Sequence, residues 1–263
     1  MSETVPMNWS ASAKILADAR LNDVRLDDPP RPDPQNTEEA YTLQEAVTSE
    51  LGFEIIGWKV GATNALAQAA LGANEPFAGP IFRERTFEGS AELKTAADAL
   101  RIPEAEFALM LKADLPARSA AYGADEVAAA VGSVHPAIEV VNKRLAGDFG
   151  DHVNRVIADG GANHAFIYGK GTQDFDPNAL SSHPVKVTVN GMDKAAGSGG
   201  NVMGSPLNVL AWLANHMSRR GLGLKAGQWV STGLTTEVFQ VRRGDTVLAD
   251  FGPFGSVSVK FLD

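Results

Sequence analysis

At 263 residues, with 44 % hydrophobic and 21 % charged side chains, the chain has the make-up of a soluble globular protein, with room for one large domain or a main domain and a smaller helical piece. A net charge of -9 with no basic block argues against nucleic acid as a partner, and the absence of cysteine excludes disulfides, thiolate zinc sites and a cysteine nucleophile. No uncharged apolar run approaches the roughly 18 residues of a membrane span, and Met1-Ser2-Glu3-Thr4-Val5-Pro6 lacks the basic stretch and apolar core of a secretory signal, so a cytoplasmic enzyme or binding protein with no membrane partner is expected.

Residues 9–22 read as an amphipathic helix, with Ile15, Leu16, Ala19 and Leu21 near helical spacing. Four prolines between Pro29 and Pro34 then forbid helix or ladder, which predicts a stiff surface linker. Thr37 is expected to cap a second helix with Glu38 and Glu39 in its first turn, ending by Gly52. The division expected is an N-terminal helical portion over 1–52 packed on a mixed-β catalytic domain over 53–263. The first strand signal is Phe53–Gly61, ending in Gly57-Trp58-Lys59-Val60-Gly61. Lys59 there has two readings. It is either a snorkelling lysine at a strand end, or a partly buried lysine of lowered pKa that serves as acid or base or holds a carboxylate. Thr63 reads as the cap of a short helix ending at Gly72. The Gly- and Pro-rich stretch from Asn74 to Phe82 reads as a loop over a site, with Gly79 as a substrate contact.

The stretch Ile102-Pro103-Glu104-Ala105-Glu106-Phe107-Ala108-Leu109-Met110-Leu111 carries two carboxylates one residue apart. In a strand, Glu104 and Glu106 point the same way and repel unless a cation lies between them. Downstream, Glu139 interrupts the apolar run Ile138-Glu139-Val140-Val141, where a charge is costly unless paired or coordinated. Two readings stand at this point. The three glutamates hold a hard divalent cation such as Mg²⁺, or Glu104 and Glu106 are solvated edge residues and Glu139 pairs with a basic side chain.

A helix is expected at Asp125–Val131, another around Asp151–Ala158, and a short strand at Phe166–Tyr168. Val185–Val189 alternates strictly into the hairpin signal Asn190-Gly191. The glycine-rich run Ala195–Asn201 has neither P-loop nor dinucleotide-site spacing. Ser205 and Pro206 open a helix whose Leu207, Leu210, Ala211, Leu213 and Ala214 form a core-facing stripe. Strands are expected at Gln228–Thr232, Val238–Arg242, Thr246–Asp250 and Ser256–Phe261, close enough for a curled sheet or barrel end. Thr232 closes the first of these, where its hydroxyl either binds a ligand or caps the turn. The five histidines show no metal-site spacing, and no serine-nucleophile elbow occurs.

Five segments in order, Gly57-Trp58-Lys59-Val60-Gly61, Pro103-Glu104-Ala105-Glu106, Pro136-Ala137-Ile138-Glu139-Val140-Val141, Gly204–Ala214 and Gly255-Ser256-Val257, together resemble the 2-keto-4-pentenoate hydratase, 2-oxohept-4-ene-1,7-dioate hydratase and 4-oxalocrotonate decarboxylase group of the fumarylacetoacetate hydrolase superfamily. The resemblance runs from about residue 10 to the end. It implies an α+β fold, with a mixed, rolled β-sheet or barrel-like core, flanking helices and a helical N-terminal portion. It also implies a homo-oligomer. Glu104, Glu106 and Glu139 match the group's metal-binding carboxylates, which hold Mg²⁺ or Mn²⁺, and Lys59 matches its lysine beside the substrate. The activity implied is hydration of a 2-hydroxy-2,4-dienoate from aromatic-ring catabolism. The alternatives are decarboxylation or C–C bond hydrolysis at the same metal, or non-catalytic binding of a 2-oxo acid. The chain departs from the group's pattern where Glu75-Pro76-Phe77-Ala78-Gly79 replaces Glu-Pro-Asp-Phe/Tyr-Gly, at Asn142 in place of Asp, and at Ala158-Asp159-Gly160-Gly161-Ala162 in place of Ala-Asp-Asn-Ala-Ser. These changes keep the metal triad and remove polar groups expected around the substrate.

Overall fold

The computed structural model describes residues 7–145 and 153–263. Helices α1 (Ser10–Leu21) and α2 (Thr37–Leu51) form a pair that buries Leu16, Leu43 and Val47 against Trp9 and Phe82. The cap of α2 is Asn36 rather than Thr37: the Asn36 side chain accepts from Glu39 N at 2.9 Å, and the Glu39 carboxylate in turn accepts from Gln35 N at 2.8 Å. The helix stops at Gly52, whose φ of 63° leaves the helical basin without a Cβ penalty. The proline stretch between the two helices is fastened rather than loose. The Ser12 hydroxyl donates to Pro32 O at 2.6 Å, and Asp33 pairs with Arg155 at 2.5 Å.

Seven strands form the first sheet: β1 (Ile55–Gly61), β2 (Phe77–Phe82), β3 (Thr86–Glu88), β5 (Ile102–Leu111), β6 (Val131–Val141), β7 (Asn163–Tyr168) and β10 (Trp229–Ser231), in the order β2-β1-β10-β5-β6-β7-β3. Five form the second: β4 (Ser90–Leu93), β8 (Pro184–Val189), β9 (Met192–Ser198), β11 (Thr246–Asp250) and β12 (Ser256–Phe261), in the order β4-β12-β11-β8-β9. Both sheets mix parallel and antiparallel neighbours, since β1–β10, β3–β7 and β4–β12 run parallel and the remaining pairs antiparallel. Phe107 and Leu109 of β5 share one core with Val257 and Val259 of β12 and with Leu207 and Leu210 of helix α6 (Pro206–Arg219). Shorter helices α3 (Ala65–Leu71), α4 (Ala124–Ala128) and α5 (Val153–Ala158) complete the α+β architecture. The expected helix around Asp151–Ala158 is α5, with residues 151 and 152 outside the described part.

The hairpin at Asn190-Gly191, both residues at positive φ, and the Ser205 cap of α6 follow the sequence reading. Three further expectations need correction. The cap of α3 is Asn64, not Thr63, because Asn64 Oδ1 reaches Ala67 N at 2.9 Å. The stretch 77–82, read as loop, is strand β2. It lies at the sheet edge, so Pro80 can lack a ladder donor there without leaving a neighbour unpaired. Val238–Arg242 forms no strand: its Val241 donates one backbone bond, to Arg101 O just before β5, and no ladder continues from it.

Gly79 has a packing reason of its own. A Cβ there would lie 2.2 Å from Gly160 O, so β2 touches the turn before β7 through bare backbone. Gly79→Ala should therefore cost about 1–3 kcal/mol, as overpacking does. Urea unfolding monitored by circular dichroism checks this, and an unchanged midpoint would contradict the close approach.

Candidate metal centre

The two central strands fix the acidic cluster. Glu104 on β5 stands directly opposite Glu139 on β6, and Glu106, two residues along, shares their face. One oxygen or more from each of the three carboxylates lies within 4.8 Å of the others. Lys59 enters from β1 across the intervening β10, and its Nζ lies 3.2 Å from Glu139 Oε1. Lys59, Glu106 and Glu139 are buried, at 3 %, 0 % and 1 % exposure, so bulk water does not screen their charges. The four residues singled out in sequence thus converge on one point. Of the alternatives left open there, solvated edge residues and a snorkelling lysine do not fit, while the pairing of Glu139 with a basic side chain is present in Lys59.

Ser231 Oγ donates to Glu106 Oε2 at 2.5 Å, Gly233 N donates to the same oxygen at 2.8 Å, and Asn163 Nδ2 donates to Glu139 Oε1 at 3.0 Å. The other oxygens, Glu106 Oε1 and Glu139 Oε2, are buried with no hydrogen-bond partner among the described residues. An unpaired buried carboxylate oxygen is costly. Two of them beside a third carboxylate form a hard-oxygen set of the kind that fits a divalent cation. Burial, then the charge of Glu139, pushes the Glu104 carboxyl up to about 7. Burial and the Glu139 and Glu104 charges hold Glu106 well above the ordinary range. Burial alone would lower Lys59, but the carboxylates of Glu139, Glu104 and Glu106 outweigh it and hold the lysine above its ordinary value. That corrects the lowered pKa expected from the sequence: the isolated-lysine argument omits three acidic neighbours.

A cavity of about 240 Å³ opens beside Lys59 and Glu104. Neither Gly79 nor Thr232 lines it. Gly79 packs on Gly160, and Thr232 spends its hydroxyl on Phe107 O at 2.8 Å, closing the end of β10 as the capping alternative described. Phe77, at the position where an acid was expected, does line the cavity, and its ring centroid is 5.5 Å from Lys59 Nζ. Gly161 lies against the lysine arm: a Cβ there would fall 2.7 Å from Lys59 Cε. Asn142 is spent on structure, accepting from Leu100 N and donating to Asp23.

Sequence reasoning missed Asn163. Its signal is a buried amide opening an apolar strand, and its place is held by Arg144, which donates to Asn163 O at 2.6 Å. Arg144 N in turn donates to Asp159 Oδ2 at 3.1 Å, and Arg20 of α1 donates to Asp159 O at 3.0 Å.

The sequence matches no protein-family model. It is 32 % identical over 233 residues to the 2-keto-4-pentenoate hydratase of Paraburkholderia xenovorans strain LB400, covering 86 % of this chain and 84 % of that one. Its fold superposes on 4-oxalocrotonate decarboxylase from Pseudomonas putida G7, complexed with magnesium and adipate, with a TM-score of 0.86, 25 % identity, and coverage of 98 % of this chain and 100 % of that chain. A more distant likeness, to fumarylpyruvate hydrolase from Pseudomonas aeruginosa in complex with Mn²⁺ and pyruvate, has a TM-score of 0.59 at 16 % identity over 80 % of this chain and 91 % of that chain, and bears on the fold alone.

Two outcomes are expected. Glu106→Gln should abolish Mn²⁺ binding in calorimetry while the far-ultraviolet spectrum stays that of the parent; an unchanged affinity would sink the assignment. The second concerns pH. The raised Glu104 and Glu106 bind more protons in the metal-free folded state than in the unfolded chain. Their contribution to stability therefore falls as pH rises from about 4.5 through 7. Since Mg²⁺ displaces those protons, its stabilising effect on thermal unfolding should grow between pH 5 and 8.

Proposed function

Because the chain belongs to the 2-keto-4-pentenoate hydratase and 4-oxalocrotonate decarboxylase group of the fumarylacetoacetate hydrolase superfamily, we propose that it is a divalent-metal-dependent lyase that adds water to a 2-hydroxy-2,4-dienoate, the tautomer of a 2-keto-4-enoate, in aromatic-ring catabolism. The observation that supports this most is the convergence of Glu104, Glu106 and Glu139 with Lys59 at the end of a cavity. Glu104, Glu106 and Glu139 would hold Mg²⁺ or Mn²⁺, which when bound supplies the Lewis acidity that polarises the carboxylate and 2-oxygen of such a substrate.

Hydration needs a proton moved from the 2-hydroxyl to C5, giving an α,β-unsaturated ketone, followed by addition of water at C4 with a proton delivered to C3. Lys59 is the titratable cavity residue outside the metal-holding set, and we assign it the proton transfer. Its arm lies against the Gly161 backbone, with the Phe77 ring 5.5 Å from Nζ, and its Nζ is held 3.2 Å from Glu139 Oε1, which limits where that proton is held.

A second reading, decarboxylation at the same site, is supported by the likeness to 4-oxalocrotonate decarboxylase. The product distinguishes it: CO₂ instead of a hydrated ketone. No helix among the described residues is long and apolar enough to cross a membrane. A cytoplasmic homo-oligomer, each chain made of a helical portion over 1–52 on a catalytic domain over 53–263, completes the proposal.

The test is loss of the ultraviolet absorbance of 2-hydroxypenta-2,4-dienoate with and without Mg²⁺ or Mn²⁺. Metal-dependent loss with the hydrated ketone as product is expected, and metal-dependent CO₂ release would favour the second reading. Lys59→Met should lower kcat by about 10²-fold or more while Mn²⁺ still binds. A variant with full activity would remove Lys59 from the chemistry.

A further inference from the structure

The cavity has two unlike ends. Its inner end is charged, with Glu106 and Glu139 fully buried behind Lys59 and Glu104. Exposure then rises outward along Phe77 and Val156, which are buried, through Ile102, Leu71 and Leu234, which are half-buried, to Val238 at 65 % exposure. All six of these side chains are apolar. Among the described residues lining the cavity, Lys59 and Glu104 are the only charged ones, and Lys59 is already engaged by Glu139. Helix α3 contributes Ala67, Ala70 and Leu71 to the wall and contains no fully buried residue; its Leu71 is half-buried against the cluster of Phe77, Val141 and Val156, so it adds to a continuous apolar wall. Val238 stands out for the same reason, as a large apolar side chain left open to water at the mouth.

A ligand whose 2-oxo acid end reaches the glutamates therefore lays its far end along an uncharged wall. A second carboxylate along that wall would lose water against Leu71, Phe77, Ile102 and Val156 and meet no cation among the described residues, whereas methylenes there would bury apolar surface. We infer that the ligand of this cavity is a 2-oxo or 2-hydroxydienoic monocarboxylate whose distal end carries an uncharged apolar substituent, and that Leu71, Phe77, Ile102 and Val238 select it against a dicarboxylate. This rests on the proposed function for the charged end and adds the class of its substrate.

Binding of unreactive probes decides it. Calorimetry of the whole chain with saturating Mn²⁺ compares 2-oxohexanoate with 2-oxoadipate, two acids of equal chain length that differ in a terminal methyl or carboxylate. The expected result is that 2-oxohexanoate binds at least about tenfold more tightly, and that each methylene added from pyruvate upward tightens binding about three- to fourfold. Val238→Arg, which places a cation at the exposed mouth, should narrow or reverse the preference. Equal or tighter binding of 2-oxoadipate by the unaltered protein overturns the inference while leaving the chelating end in place. Failure of pyruvate and both longer acids to show any Mn²⁺-dependent binding overturns the reading of the charged end itself.

Discussion

Repulsion between Glu104 and Glu139, facing each other across the two central strands, is the constraint around which the site is arranged. Like charges directly opposite in a sheet are unfavourable, and burial removes the water that would weaken their field. Each neighbour of the cluster answers that field with a donor: Lys59 with an ammonium, Ser231 with a hydroxyl, Gly233 with a backbone N–H and Asn163 with an amide. Three carboxylates are gathered around one ammonium, and among the described residues two of their oxygens have no donor. A divalent cation held there, as proposed above, would offset the cost of burying these carboxylates together.

The carboxylate pattern was legible because strand geometry is strict: period two puts Glu104 and Glu106 on one face whatever surrounds them. Glu139 was legible because a charge within a β-branched run has few inexpensive explanations. The hairpin at Asn190-Gly191 and the start of α6 follow from backbone preferences confined to two or three residues. Strand β2 was hidden because the bar on proline and glycine holds for interior strands, and the order of strands is a property of the whole chain. The packing duties of Gly79 and Thr232 were hidden for a related reason. Both lie near the site in sequence, but Gly79 is needed for a close backbone approach and Thr232 for closing a strand end. Asn163 was missed because its partner, Glu139, is 24 residues away.

Phe77 shows how the departures from the family pattern compensate one another. A Cβ on Gly61 would fall 2.6 Å from its ring, and one on Gly161 would meet the ring at 3.3 Å as well as the Lys59 arm. The aromatic ring thus occupies space that two glycines leave, and its face toward Lys59 gives the ammonium a weak electrostatic partner besides Glu139. The polar groups lost from this region are replaced by a shaped apolar surface rather than by a void.

The link from Arg20 through Asp159 and Arg144 to Asn163 bears on how separable the two ends of the chain are. Arg20 belongs to the first helix, yet it caps the carbonyl of a residue that positions Arg144, and Gln44 of the second helix donates to Ala78 O and Ile157 O on either side of the same turn. The N-terminal helices are therefore not an accessory module that recombination could exchange freely. A chimera joining this β core to foreign helices would have to bring its own guanidinium and amide to these places, or leave the floor beneath Glu139 unsupported.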